Sequence, residues 1–142
     1  MEEFDLGDGV DLSPRKAHPD DAGYDLSAAA GAYLKPGQTM LVPAGFRIGL
    51  PHGYEAQIRT RSGNALKLGL VVLNSPGTVD AGYTGGVGVI LMNAGPSPVR
   101  IARGDRIAQM VICRLPDVCL EPGKIELGTD RGEGGFGSTG KA

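Results

Sequence analysis

The sequence predicts an all-β fold with at most one short helix and a flexible, glycine-rich C-terminal tail. Three observations carry that expectation: an excess of chain-breaking residues, turn signals at nearly regular intervals, and strand-length apolar runs between them. Glycine supplies 24 and proline 10 of the 142 residues. That glycine content is more than twice the roughly 7% of average usage, and with the prolines it leaves almost no uninterrupted helical interior. The glycines follow no G-x-y period, so they serve turns, bulges or close approach of backbone to a ligand. With 41% hydrophobic and 21% charged residues the composition is that of a globular chain. The length suits a single domain over residues 1–142.

Turn signals stand at Pro36-Gly37, Pro51-His52-Gly53, Pro76-Gly77, Gly95-Pro96, Gly104-Asp105, Pro116-Asp117 and Pro122-Gly123, a rhythm that fits many short strands. Between them the expected strands are Thr39 to Val42, Phe46 to Leu50, Tyr54 to Arg61, Leu68 to Asn74, Val87 to Asn93, Val99 to Ile101 and Ile107 to Leu115. In the third run Tyr54, Ala56, Ile58 and Thr60 alternate with Glu55, Gln57, Arg59 and Arg61, which gives one face to the core and leaves Arg61 on the polar face. The short helix is expected over Asn64 to Leu68, where Ala65, Leu66 and Lys67 favour helix and Gly69 can stop it. From Gly128 onward there is almost no apolar surface to bury, so residues 128–142 read as a mobile tail or lid.

The charge balance excludes some functions. The 14 basic and 16 acidic residues give a formal net charge of -2, so no overall positive field exists to hold nucleic acid or an acidic membrane surface. No run approaches the length of a membrane span, and Met1-Glu2-Glu3 lacks the basic start of a signal peptide; a cytoplasmic location is expected. Cys113 and Cys119, with only His18 and His52 beside them, lack the paired spacing of a zinc site and read as small buried thiols.

Two textual matches in the tail fail on physical grounds. Gly132 to Gly137 fits G-x-G-x-x-G, but the chain ends before the helix and acidic residue a dinucleotide site requires. Gly135 to Lys141 resembles a Walker A loop, yet Ala142 stands where Ser or Thr is needed and no helix follows. What survives is a set of exposed amides with Arg131, Phe136, Ser138 and Thr139, suited to covering a phosphorylated base. A lone aromatic among polar residues argues against an idle terminus. Upstream, Asn74 to Gly86 reads as a hairpin-like loop that presents Asp80 and Tyr83.

Five segments in order are Asp21-Ala-Gly-Tyr-Asp25-Leu-Ser-Ala28, Arg61-Ser-Gly63 with Ala65-Leu66, Asn74 to Gly85, Gly104-Asp-Arg-Ile-Ala-Gln109, and Arg131 to Gly140. They resemble the five motifs of trimeric dUTP pyrophosphatases (dUTPases), over about residues 20–140. The resemblance implies a jelly-roll-like β-barrel or sandwich that assembles as a homotrimer, with each active site drawn from all three subunits. It also implies hydrolysis of dUTP to dUMP and pyrophosphate, which limits uracil incorporation into DNA and supplies dUMP for thymidylate synthesis.

By the same resemblance, Asp80 orients and activates water for in-line attack on the α-phosphorus, a task a carboxylate suits as hydrogen-bond and proton acceptor. Tyr83 stacks under deoxyribose and rejects a ribose 2′-hydroxyl. Asn74, with the main chain of Thr78, Val79 and Gly88, holds the uracil edge. Arg61, Ser62, Gly63 and Gln109 contact phosphate. Phe136 stacks on uracil, while Arg131, Gly137, Ser138 and Thr139 complete the lid over the phosphates. Asp25 and Asp105 brace an arginine or a turn, and Asp25 is a candidate for ordering metal-bound water. A triphosphate facing so few cations calls for Mg²⁺, carried on substrate oxygens and waters with no first-shell protein ligand.

The chain departs from the common pattern at Thr84-Gly85-Gly86, where an Arg or Gln and an acidic or amide residue are usual, so an intersubunit salt link is expected to be missing. Asn64 after Gly63 is a lesser departure. The nearest rival, dCTP deaminase, needs a pocket glutamate, and none occurs between Asn74 and Asn93. The other rival is a non-catalytic trimeric jelly-roll, against which Asp80, Tyr83 and the complete tail speak.

Overall fold

The computed structural model describes residues 2–3, 11–125, 128–136 and 140. In chain order the strands are β1 (Glu2–Glu3), β2 (Tyr24–Ser27), β3 (Ala32–Leu34), β4 (Thr39–Pro43), β5 (Phe46–Arg47) and β6 (Tyr54–Arg59). Helix α1 (Ser62–Leu68) follows, then β7 (Leu70–Val72), β8 (Gly77–Asp80), β9 (Gly88–Asn93), β10 (Val99–Ile101) and β11 (Arg106–Arg114). All pairings are antiparallel. A four-stranded sheet runs β2-β11-β6-β8 and a three-stranded one β4-β9-β7, and β3-β10 and β1-β5 form two further two-stranded pairs.

Alternation builds the core. On β6, Ala56 and Ile58 are buried while Glu55, Gln57 and Arg59 face outward. From the other sheet Val42, Val72, Val89 and Leu91 join them in one cluster with Leu26, Phe46, Val79, Ala108 and Met110. Each large aliphatic side chain buried there stabilises the fold by about 1.5–3 kcal/mol. Asn93 is a fully buried polar side chain: Nδ2 donates to the carbonyls of Leu34 (3.0 Å) and Ser97 (2.8 Å), and Oδ1 accepts from the Gly95 amide at 2.9 Å. With its donors and an acceptor engaged, it carries none of the cost of an unpaired buried amide.

Several expectations change. The strand from Tyr54 ends at Arg59, because Thr60 turns its groups away from the ladder: its Oγ1 accepts from the Val72 amide at 2.8 Å and its carbonyl accepts from Gln109 Nε2 at 3.0 Å. Arg61 therefore lies off the strand and is the extended N-cap of α1, which starts two residues before the expected Asn64. Gly69 ends the helix as expected, with φ 65° and its amide bonded to Ala65. The segment from Asn74 is not wholly loop, since Gly77–Asp80 pairs with β6 as the sheet's edge strand. The strand expected to Leu50 stops at Arg47, and the one expected over Leu68 to Asn74 shortens to Leu70–Val72. Tyr24–Ser27 and Ala32–Leu34 are strands that local patterning does not mark. Neither cysteine is the buried thiol expected: Cys119 is exposed because residues 115–125 run on without secondary structure, and Cys113 is half-buried near the end of β11, both as free thiols.

Candidate functional site

Two concave regions hold most of the residues singled out above. The first lies where β2 and β11 meet the start of α1. Gly23, Asp25, Arg61, Ser62, Gly63, Arg106 and Gln109 line a cleft of about 320 Å³ there, with Asp21 at its rim. Asp25 anchors it: Oδ1 accepts from Arg61 Nε at 2.8 Å, and Oδ2 accepts from Arg61 Nη2 at 3.5 Å and from Arg106 Nη1 at 3.1 Å. One carboxylate thus holds two guanidiniums and leaves their remaining N–H donors for an anion, although with Asp21 at the rim the cleft carries two acidic and two basic side chains. Ser62 and Gly63 open α1, where backbone amides have no intrahelical acceptor. Gln109 reaches across to the Thr60 carbonyl, and a Cβ on Gly23 would lie 2.6 Å from its Oε1, so glycine there leaves the space the amide occupies.

The second region is a cavity of about 200 Å³ between β8 and β9. Asn74, Thr78, Val79, Tyr83 and Gly88 all line it, over a floor that includes Ile58, Val72 and Val89. The Asn74 carboxamide sits over Gly77, where a Cβ would be 3.1 Å from Nδ2. Tyr83 is half-exposed at 47%, and its hydroxyl donates to the Gly86 carbonyl at 3.0 Å. Such an apolar floor with polar groups at the edge suits a flat, hydrogen-bonding ring.

Asp80 ends β8. Alternation along that strand buries Gly77 and Val79 and exposes Thr78 and Asp80, and Asp80 opens onto a separate cleft with His52, Tyr54, Arg114 and Asp117. The register places Asp25 opposite Gln109, Gln109 opposite Arg59, and Asp80 opposite Glu55. Three strand spacings and four residues along β6 then separate Asp25 from Asp80 by about 19 Å. Within one chain the arginine cluster and Asp80 are too far apart to act on one phosphoanhydride.

Asp105 Oδ2 accepts from the Ala102 amide at 2.8 Å and braces the turn before β11. In the tail, Arg131 Nε donates to the Gly134 carbonyl at 2.9 Å in a local turn, and Phe136 is fully exposed with φ 50°. Neither residue lines the clefts just described. Gly137, Ser138 and Thr139 lie outside the described residues. Also among the described residues, no three His, Cys, Asp or Glu side chains group as a metal cage, and no helix is long and apolar enough to cross a membrane.

Residues 12–140 match the family model described as dUTPase. The chain belongs to the dUTPase family. It is 52% identical over 129 residues to the deoxyuridine 5'-triphosphate nucleotidohydrolase of Gloeothece citriformis (strain PCC 7424), covering 91% of this chain and 89% of that one. It is 49% identical over 128 residues to the enzyme of that name from Clostridium tetani (strain Massachusetts / E88), covering 90% and 88%. Among solved structures, a variant dUTPase of Staphylococcus bacteriophage 80alpha with dUpNHpp superposes with a TM-score of 0.83 at 29% identity, covering 91% of this chain and 92% of that one. A variant dUTPase from phage phi11 of S. aureus, whose structure describes the coordination of a structural Mg(II) ion, gives 0.70 at 26% identity, covering 81% and 90%. The antiparallel sandwich is thus the jelly-roll-like fold of the dUTPases.

Against this dUTPase framework, sequence reasoning missed Arg106, Gly23 and Thr60. Arg106 lies three residues before Gln109 in a segment already singled out, but only the β2–β11 pairing brings it to Asp25. Thr60 links the two regions: it accepts from Gln109 on one side, while its amide donates to Ser75 Oγ at 3.4 Å on the other. The only local signal was a threonine between a strand and Arg61-Ser62-Gly63.

Proposed function

We propose that the chain is a dUTP diphosphatase that works as a homotrimer, hydrolysing dUTP to dUMP and pyrophosphate. The observation that carries this is the convergence of Asn74, Thr78, Val79, Tyr83 and Gly88 on one cavity, with Asp80 closing the same short strand. In this reading Asn74 and the main chain around it bind the uracil edge, and the ring of Tyr83 forms the wall under deoxyribose. Asp80 accepts a proton from water as the water oxygen bonds to the α-phosphorus, and the α–β bridging oxygen departs with pyrophosphate.

The separation of about 19 Å between Asp25 and Asp80 supports a shared site. One subunit offers the base cavity and Asp80, and a neighbour offers Arg61, Ser62, Gly63, Arg106 and Gln109. The tail of a third, with Arg131, Phe136, Gly137, Ser138 and Thr139, closes over both as a lid and expels water. Association is supported by the apolar side chains the lone chain leaves in solvent: Leu120 is 94% and Ile125 92% exposed.

The described residues of the phosphate cleft offer Mg²⁺ no ligand of their own, so the ion would be carried by the substrate. The phosphate cleft presents N–H groups, and its one central carboxylate, Asp25, is already held by two arginines, so the cation would sit on substrate oxygens and water. Its chemistry there would be to offset part of the triphosphate charge and polarise the anhydride. A nucleotide substrate and two free thiols suit a cytoplasmic setting.

The test is incubation of the pure protein and Mg²⁺ with dUTP and, separately, dCTP, following pyrophosphate and ammonia, alongside sedimentation analysis. Pyrophosphate from dUTP with a trimer mass is expected. Ammonia from dCTP, or a monomer that turns over dUTP, would overturn the reading.

A further inference from the structure

The loop after Tyr83 is small and uncharged, Thr84-Gly85-Gly86, and its middle residue is constrained in a way its neighbours are not. A Cβ built on Gly85 would meet the Tyr83 ring at 2.6 Å from Cζ and 3.1 Å from Cε2, with the hydroxyl oxygen closer still. Such distances lie far inside van der Waals contact, so any side chain at 85 would displace the ring. The same construction on Gly82 and on Gly86 meets nothing within 4 Å. Gly85 does not need glycine for its backbone, because its φ lies outside the left-handed region. Space is what glycine provides there. The Tyr83 ring folds over Gly85, and its hydroxyl then reaches the Gly86 carbonyl at 3.0 Å. The Tyr83 ring and Gly86 line the cavity that Asn74, Thr78 and Gly88 also line, and Gly85 packs against the ring without lining the cavity itself.

We infer that Gly85 is a positioning residue for sugar discrimination: its missing side chain sets where the Tyr83 ring stands, and so how tightly the wall excludes a 2′-hydroxyl. The inference rests on the reading of Tyr83 as the wall under deoxyribose. A Cβ at 85 pushes the far edge of the ring off its seat and breaks the hydrogen bond to Gly86. The wall loses its fixed position, and a steric selector is only as strict as its placement.

The experiment measures kcat/KM for dUTP and for UTP on the full-length protein and on Gly85→Ala, Gly82→Ala, Tyr83→Ala and the Tyr83→Ala/Gly85→Ala double variant. Circular dichroism establishes that each is folded. Gly85→Ala is expected to lower the dUTP-to-UTP ratio about 10-fold or more, with Gly82→Ala within about twofold of the parent. In the double variant Gly85→Ala is expected to add nothing to Tyr83→Ala, since its effect passes through the ring. If Tyr83→Ala lowers the ratio and Gly85→Ala does not, the inference about Gly85 falls and the reading of Tyr83 stands. An equal further loss from Gly85→Ala in the Tyr83→Ala background would also overturn it. If Tyr83→Ala leaves the ratio unchanged, the reading of Tyr83 falls and takes the inference with it. Should Gly85→Ala fail to fold, Tyr83→Phe, which keeps the ring but removes its bond to the Gly86 carbonyl, supplies the comparison: a lowered dUTP-to-UTP ratio supports a seated ring as the selector, and an unchanged ratio overturns it.

Discussion

Replacing Asp25 by Asn removes one charge and keeps the shape, which isolates what the carboxylate does. Its contact with Arg61 joins side chains that are only 22% and 24% exposed, through a 2.8 Å bond. A charge-assisted hydrogen bond in that setting contributes about 1.5–3 kcal/mol. The contact with Arg106, at 3.1 Å to a side chain 58% exposed, is screened by solvent and is worth about 0.2–1 kcal/mol. An asparagine oxygen can serve one guanidinium but cannot balance two, so Asp25→Asn should cost about 2–3 kcal/mol and lower the melting temperature by roughly 5–10 °C. Thermal or urea unfolding at one fixed protein concentration measures this, the concentration being held because association adds to stability. Double-mutant cycles should give a coupling of about 2 kcal/mol between Asp25 and Arg61 and below about 1 kcal/mol between Asp25 and Arg106. Turnover of dUTP should fall about 10-fold or more, since Arg61 loses its aim into the cleft. A variant melting within about 1 °C of the parent, or stronger coupling to Arg106 than to Arg61, would refute the argument that burial decides which arginine matters.

Asp80→Asn leaves a carboxamide that cannot take a proton from water, so dUTP turnover should drop about 10²–10⁴-fold while the non-hydrolysable dUpNHpp still binds in calorimetry; near-parental turnover would remove Asp80 from the chemistry. Truncation after Asp130 should give a folded protein with turnover reduced about 100-fold, because stacking and phosphate contacts of the lid vanish; undiminished activity would refute the lid. Gly69→Ala should destabilise by more than Gly37→Ala. Both positions have left-handed φ, 65° and 79°, but only at Gly69 would a Cβ meet backbone, 2.5 Å from the Gly95 nitrogen. An alanine at either position carries a left-handed strain of about 1–2 kcal/mol, and equal melting temperatures would show that the close approach is irrelevant.

Much of this was legible in the chain itself. Glycine and proline punctuation marked the ends of strands, the period-two pattern of Tyr54 to Arg59 told which side faces the core, and Gly69 announced the end of the helix. These are local effects, decided by a residue and its near neighbours. The strands that escaped notice are short and half-polar: Tyr24–Ser27 and Ala32–Leu34 are strands because β11 and β10 pair with them. Gly77–Asp80, which reads as a turn, is held extended by β6.

The sequence alone determined the all-β class, the turn positions and, through five ordered segments, the family and its roster of polar residues. Tertiary structure decided which of those residues meet. Asp25, Arg61 and Arg106 are far apart in the chain and share one carboxylate only because β2, β11 and the end of β6 lie side by side. The same register sets Asp80 far from them, which sends the two halves of the site to different subunits in the proposed trimer. A slip of one residue would turn every side chain of a strand to the opposite face. That long-range pairing is settled by the burial of the whole core, and no local stretch of sequence contains it.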